Sequence, residues 1–353
     1  MKRKRAGRAS ALKLFRHPLV NLCLIFIFSF ICYLFWLKAF PSLVARGPSF
    51  WELENNKIPQ GCPKFPFRPL LSFGHQPTVI LSSFPGSGNT WVRSLLERGS
   101  GILTGSYWGD PSLFPVFHGE IVSKGRHVLV LKTHYPCQNC FIRSSVNSTH
   151  KTFKPISESG IIESYQANIQ ILRNPYDVIL SYFNFIQSNQ NHTGYAQEES
   201  FRSLEFYEFA LRTFEGWLLH TKFNLMKKLT FSENLWVDAN DKVVYLLSYE
   251  KLVDNPEVEM EKVFEFILKA GVSSNPLLRT INPKHAARCA IHKGFFYRSM
   301  RKIKLDPFNQ RFPPNNGLTL REEICQRLGD NFQPYFQHHW LVNCSSLSLR
   351  TEN

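Results

Sequence analysis

The stretch TVILSSFPGSGNTWVRSLLE, Thr78 to Glu97, reads as a buried strand, a tight glycine turn and the opening turns of a helix. Val79, Ile80 and Leu81 form an apolar run, bounded by Pro77 upstream and by the Pro85, Gly86 and Gly88 cluster downstream. Ser82 and Ser83 lead into the turn. Asn89 or Thr90 is expected to cap the helix, behind which Trp91, Val92, Leu95 and Leu96 recur at helical spacing. Backbone amides in such a turn, together with the positive end of the helix, form a cradle for an anion. A Walker A loop needs GxxxxGK followed by Ser or Thr, and this turn has no such lysine. A single terminal phosphate suits it better than a triphosphate.

Three further apolar runs follow. HVLVLKTHYP, His127 to Pro136, ends in Lys132, Thr133 and His134. ANIQILRNPYDVILSYFNF, Ala167 to Phe185, joins a strand to a helix with Pro175 at an early position and Asp177 in its first turn. KVVYLLSYEKLVDNP, Lys242 to Pro256, is a fourth strand, and Glu257 to Leu268 a patterned helix. Apolar positions between Ser203 and Lys228 suit a long amphipathic helix, and Thr319 to Leu328 a short capped one. Strands alternating with helices predict an α/β fold, a parallel sheet with helices on both faces. Ligands of such sheets sit at the carboxyl ends of the strands. That rule brings Ser82–Asn89, Lys132–His134, Arg173–Ser181 and Ser248–Glu250 to one edge. We expect a single domain over 77–353, preceded by a stem and irregular lead-in over 38–76 that Cys62 could hold.

The chain has 353 residues and a formal charge of +15, a value that by itself suggests nucleic acid. Nine Lys and Arg but no Asp or Glu fall in residues 1–46, so the remainder carries 33 minus 27, or +6. The excess therefore marks the N-terminus, and no nucleic-acid partner is expected. Residues 1–18 read as a basic cytosolic tail before the apolar run Leu19–Leu37, which is long enough to span a bilayer. The positive-inside rule then places the rest in a lumen, as a type II protein. Six cysteines lie beyond the span: Cys62, Cys137, Cys140, Cys289, Cys325 and Cys344. Their even number permits up to three disulfides there. A zinc site at Cys137 and Cys140 would need two more ligands, such as His134 and a distant cysteine. Sequons at Asn147, Asn191 and Asn343 agree with a luminal glycoprotein.

SFPGSGNTW, Ser83 to Trp91, resembles the 5′-phosphosulfate loop of the sulfotransferases that use 3′-phosphoadenosine 5′-phosphosulfate. ILRNPYDVILSYF, Ile171 to Phe183, resembles their 3′-phosphate motif. LKTH, Leu131 to His134, is similar to the strand end that carries the base in cytosolic members, and YLLSYEKLVDNP, Tyr245 to Pro256, to their adenine-side stretch. The donor loop, the GSYWGD segment after it and the anchor look most like membrane-anchored Golgi sulfotransferases of the WSC-domain type, without the WSC module.

The resemblance implies a P-loop-like sulfotransferase fold and transfer of a sulfuryl group to a hydroxyl of a glycan or glycoconjugate in the Golgi. It implies His134 as base and Lys132 as the cation at the transferred group. The donor would lie against Pro85, Gly86, Ser87, Gly88, Asn89, Thr90, Trp91, Arg173, Ser181 and Tyr249, with no metal required. Glu120 and Glu250 are rival bases. Gly86 departs from the family, which commonly has Lys or Arg there. That keeps open a degenerate, nucleotide-binding protein as the alternative, and more remotely another P-loop transferase.

Overall fold

The computed structural model describes residues 58–69, 78–107, 109–110, 113, 116–120, 128–134, 165–189, 194–229, 234–270, 276–292, 308 and 319–328. The expected membrane span, Cys137, Cys140, Cys344 and the three sequons lie outside them. Among the described residues, no helix is long and apolar enough to cross a membrane.

Seven strands form the sheet: β1 (Thr78–Ser83), β2 (Gly105–Ser106), β3 (Leu131–Thr133), β4 (Tyr165–Leu172), β5 (Lys227–Lys228), β6 (Leu235–Val237) and β7 (Val243–Ser248), in the order β2-β3-β1-β4-β7-β6-β5. The five from β2 to β7 in that order run parallel, and β6 and β5 continue the sheet antiparallel. The expected all-parallel sheet is thus a mixed one, because the short β5–β6 ribbon folds back along β7. β3 is also shorter than the apolar run that announced it. From β1 the chain passes first to the β2–β3 side and later crosses to β4. The carboxyl end of β1 is therefore the switch point where a doubly wound sheet opens a crevice.

Two apolar layers sandwich the sheet. On one face Val79, Leu81, Ile169, Ile171 and Leu247 pack under the helices α1 (Asn89–Ser100), α5 (Pro256–Lys269) and α7 (Pro283–Ile291). On the other, an aromatic cluster that includes Phe84, Phe183, Phe206, Phe214 and Trp217 joins α2 (Pro175–Gln187), α3 (Leu204–Asn224) and α8 (Leu320–Leu328). The short helices α4 (Tyr249–Asp254) and α6 (Pro276–Arg279) complete the described set. Thr319 and Glu322 cap α8 reciprocally: the Glu322 amide donates to Thr319 Oγ1 at 3.2 Å and the Thr319 amide to Glu322 Oε2 at 2.7 Å.

Between the sheet and α3 runs a buried polar belt. The Ser82 hydroxyl lies 2.6 Å from both Asn168 Oδ1 and Gln170 Oε1, and Asn168 donates on to Asn224 at 2.9 Å. Cys62 is bonded to Cys289 of α7, so the lead-in is held as expected, and α7 packs against α1. Cys325 is also disulfide-bonded. Among the described residues, Cys62, His285 and Cys289 bring three potential metal-ligating atoms together, but both sulfurs are already spent in the disulfide.

Candidate active site

The parallel strands β3, β1, β4 and β7 end on one edge, and the residues singled out from sequence project there. Ser83 closes β1 and the turn follows, with Ser87 donating its amide to Phe84 O at 3.1 Å. Gly86 and Gly88 take φ values of +87° and +94°, a region that side chains enter only at a cost. Gly88, not Asn89 or Thr90, is the N-cap of α1, and it supplies no side-chain bond. Asn89 instead turns its Nδ2 back to Leu81 O at 3.2 Å and Ser83 Oγ at 3.0 Å. The reason is economy of donors: the amide staples the strand end, and the first N–H groups of α1 remain for an anion. Ser87 Oγ and Asn89 Oδ1 are buried with no protein partner. Buried polar atoms are normally satisfied, so both have hydrogen-bonding capacity to spare at the turn.

Arg173, at the end of β4, binds this turn directly. Its Nη1 donates to Gly86 O at 2.9 Å, its guanidinium lies 4.4 Å from the Tyr249 ring centre, and its buried Nε has no partner. The ion pair with Asp177 is long at 3.8 Å and half exposed, so that carboxylate competes weakly for Arg173. Asn174 caps α2, accepting from the Tyr176 amide at 2.9 Å with Pro175 at the first helical position. Ser181 stands two turns along α2 and is half-buried. Tyr249 packs edge-on to Trp91 at 5.4 Å, and a Cβ on Gly88 would sit 2.5 Å from the Tyr249 ring. Turn, guanidinium and aromatic pair thus form one continuous surface.

Glu250 does not stand free as a base. Its Oε1 accepts from the Asn174 amide at 2.7 Å, and Ser248 Oγ lies 3.4 Å from its Oε2. Burial raises its pKa, while the Asn174 amide and Arg173 pull the other way. It acts as a clasp between β7 and the β4–α2 turn, holding the backbone that carries Arg173. Nothing in its sequence context signals that role, because the two segments are 76 positions apart. Glu120 is likewise engaged, with Oε1 on Arg93 and Oε2 on the Asp110 amide.

His134 reaches back across β1, its Nδ1 2.6 Å from Ser83 O. A carbonyl can only accept, so Nδ1 carries the hydrogen, and in the neutral ring Nε2 presents a lone pair. Lys132, two residues earlier, is nearly buried, with 8% of its surface exposed, whereas His134 is half-buried. Burial first, then repulsion from Arg93, lowers the Lys132 ammonium to about 8, while Glu120 and Asp110 pull it back up.

The missing family cation at Gly86 has a local cause. A Cβ there would lie 2.9 Å from Val178 O and 3.2 Å from the Tyr182 nitrogen, so α2 occupies the space a side chain would need. Gly86→Ala is expected to destabilise the fold by about 1–3 kcal/mol through backbone strain and this contact, read as a fall in thermal midpoint. Gly86→Lys is expected to do the same without raising turnover. A lysine variant that is as stable as wild type and faster would show that the space exists.

The model of the sulfotransferase domain matches residues 76–281. The chain belongs to the sulfotransferase domain family. A WSCD family member of Drosophila melanogaster is 29% identical over 242 residues, covering 66% of this chain and 60% of the fly protein. A WSCD family member of Aedes aegypti is 28% identical over 280 residues, 75% of this chain and 74% of that one. Rat sulfotransferase 1A1 is 24% identical over 211 residues, 56% of this chain and 62% of the rat protein. The chain thus spans about 60% of the length of the fly relatives. A mouse sulfotransferase crystallised in complex with PAP covers 55% of this chain and 60% of its own at 18% identity and a TM-score of 0.32.

Proposed function

We propose that this sulfotransferase-family chain is an enzyme that moves a sulfuryl group from 3′-phosphoadenosine 5′-phosphosulfate to a hydroxyl of a glycan or glycoconjugate. In this reading it works as a type II Golgi membrane protein with its catalytic domain in the lumen. The observation that carries the proposal is the grip of Arg173 on the Gly86 carbonyl beneath the Tyr249 ring. It joins a one-phosphate cradle to a second cationic seat and an aromatic flank, the three features a 3′,5′-substituted adenosine requires. The orphaned Ser87 Oγ, Asn89 Oδ1 and Arg173 Nε fit such a ligand. The amides of the turn with Ser87, Asn89 and Thr90 would hold the 5′ end, Arg173 and Ser181 the 3′-phosphate, and Trp91 and Tyr249 the base.

The bound donor supplies the sulfuryl group. His134 Nε2 takes the proton of the acceptor hydroxyl as that oxygen bonds to sulfur. The bond from sulfur to the phosphate oxygen breaks, and the electron pair leaves with adenosine 3′,5′-bisphosphate. Lys132 is the cation assigned to the developing negative charge. No step passes through a metal.

The test is to incubate the full-length protein with radiolabelled donor and a panel of glycans, with ATP and magnesium as a parallel arm. Transfer to a glycan is the expected result. Binding of the nucleotide product without turnover points to a degenerate relative, and binding of ATP alone overturns the reading.

A pH prediction follows from Lys132. Because its folded pKa is lowered from 10.5 to about 8, the charged form is lost as pH rises through about 8, and kcat/KM should fall there. Stability moves the other way. The unfolded chain holds more protons between about 8 and 10.5, so this group adds stability as pH rises across that window. Parallel rate and thermal-unfolding profiles check both signs. A rate that stays flat to pH 9.5 removes Lys132 from the mechanism.

A further inference from the structure

The helix that seats the anion also carries two buried ionisable side chains one turn apart, Arg93 and Glu97, exposed by 0% and 2%; burial pushes the Glu97 carboxyl up to about 7, against the pull of Arg93. Arg93 directs Nε to Thr104 Oγ1 at 2.9 Å, Nη2 to Thr104 O at 3.2 Å and Nη1 to Glu120 Oε1, and its guanidinium lies 4.3 Å from the Phe117 ring centre. Glu97 Oε1 accepts both the amide and the hydroxyl of Thr104, each at 2.7 Å. Glu120 Oε2 accepts from the Asp110 amide at 2.9 Å. Gly119 permits the approach of this turn, since a Cβ there would fall 1.9 Å from Thr104 O. α1 therefore holds both ends of the segment from Thr104 to Glu120, with Asp110 tied to its far end.

That segment is fastened in turn to β3, the strand of Lys132. Ser106 pairs with Lys132 in register, and the Tyr107 amide donates to Lys132 O at 2.9 Å. In-register neighbours point to the same face, and the face of Lys132 is that of α1. The charged groups that act on Lys132 are Arg93 of α1, Glu120 of the turn at 118–120 and Asp110 of the loop; the titratable His134 lies just past the end of β3. Glu97, although part of the same cluster, spends its Oε1 on Thr104 and is not among them. Burying several charges is a poor way to gain stability, because apolar residues of the same volume do as well or better.

We propose that Arg93 and Glu120 are positioning residues for Lys132, tying the donor-loop helix to the wall beside β3 so that donor seat and cation keep one fixed relation. The proposal rests on the sulfotransferase reading for its chemistry, but its first test needs no turnover. In the full-length protein, competitive acetylation of lysines followed by peptide mass spectrometry reads the titration midpoint of Lys132. Glu120→Gln removes an attractive charge and the carboxylate bonded to Arg93, so the midpoint should fall by about one pH unit. Glu97→Gln perturbs the same cluster and should leave it in place. Asp110→Asn, which does not touch Arg93, should also lower it and serves if Glu120→Gln folds poorly.

In the second arm Glu120→Gln should lower kcat by about tenfold to a hundredfold, with affinity for adenosine 3′,5′-bisphosphate unchanged. An unmoved midpoint, an unmoved kcat, or an equal shift in Glu97→Gln overturns the proposal. If no variant and no wild type transfers sulfate, the functional reading fails, while the labelling arm still decides whether Glu120 governs Lys132.

Discussion

Arg173→Ala is expected to weaken binding of adenosine 3′,5′-bisphosphate by about 30-fold to 1000-fold, the equivalent of about 2–4 kcal/mol. The magnitude comes from what one guanidinium does at once. It would offer charge-assisted bonds to a phosphate, each contributing about 1.5–3 kcal/mol. It also holds Gly86 O and lies against Tyr249, so truncation frees the turn and an aromatic wall together. Lysine should rescue little, because a point ammonium cannot serve the Gly86 carbonyl, the ring and a phosphate with one planar fork. Isothermal calorimetry measures the loss. A variant that binds within threefold of wild type would show that this edge is not the nucleotide's seat.

His134→Ala should lower kcat by about 10²-fold to 10⁴-fold, the usual contribution of a placed general base, and leave nucleotide affinity alone. The geometry behind the number is the contact of Nδ1 with Ser83 O, which fixes both the tautomer and the ring. The two carboxylates considered as rivals are spent, Glu120 on Arg93 and Asp110, Glu250 on the Asn174 amide and Ser248. Single-turnover assays separate the chemical step from binding. Transfer that persists undiminished in the alanine variant removes the base assignment.

The strand-turn-helix at Ser83 to Trp91, the strand end at Lys132 to His134 and the Arg173 helix start were all legible in the sequence as local structure, for a common physical reason. Each is a local pattern, an apolar strand followed within a few residues by turn chemistry, and parallel pairing brings such ends together without further information. The edge ribbon of β5 and β6 was not legible, being two and three residues long and carrying no alternation to read. The cap of α1 was misassigned because Asn89 looks like a capping residue, yet its amide serves the strand behind it. The network of Arg93, Glu97 and Glu120 was missed because charge on a helix ordinarily means solvent. Its one signal lies in phase: Arg93 and Glu97 are interleaved with Val92 and Leu96, on a helix buried nearly all round.

Gly86 was the residue whose lack of a side chain cast doubt on activity, and its surroundings give it another significance. The backbone of α2 stands where its Cβ would be, and the first residue before that helix's cap holds its carbonyl. On the proposed function, the two anion seats consequently share one closely packed junction. A nucleotide lying across both is measured by the distance between its two charged ends. Such a site sorts ligands as a ruler does, by span, and should discriminate adenosine 3′,5′-bisphosphate from adenosine 5′-phosphate more sharply than it discriminates one base from another.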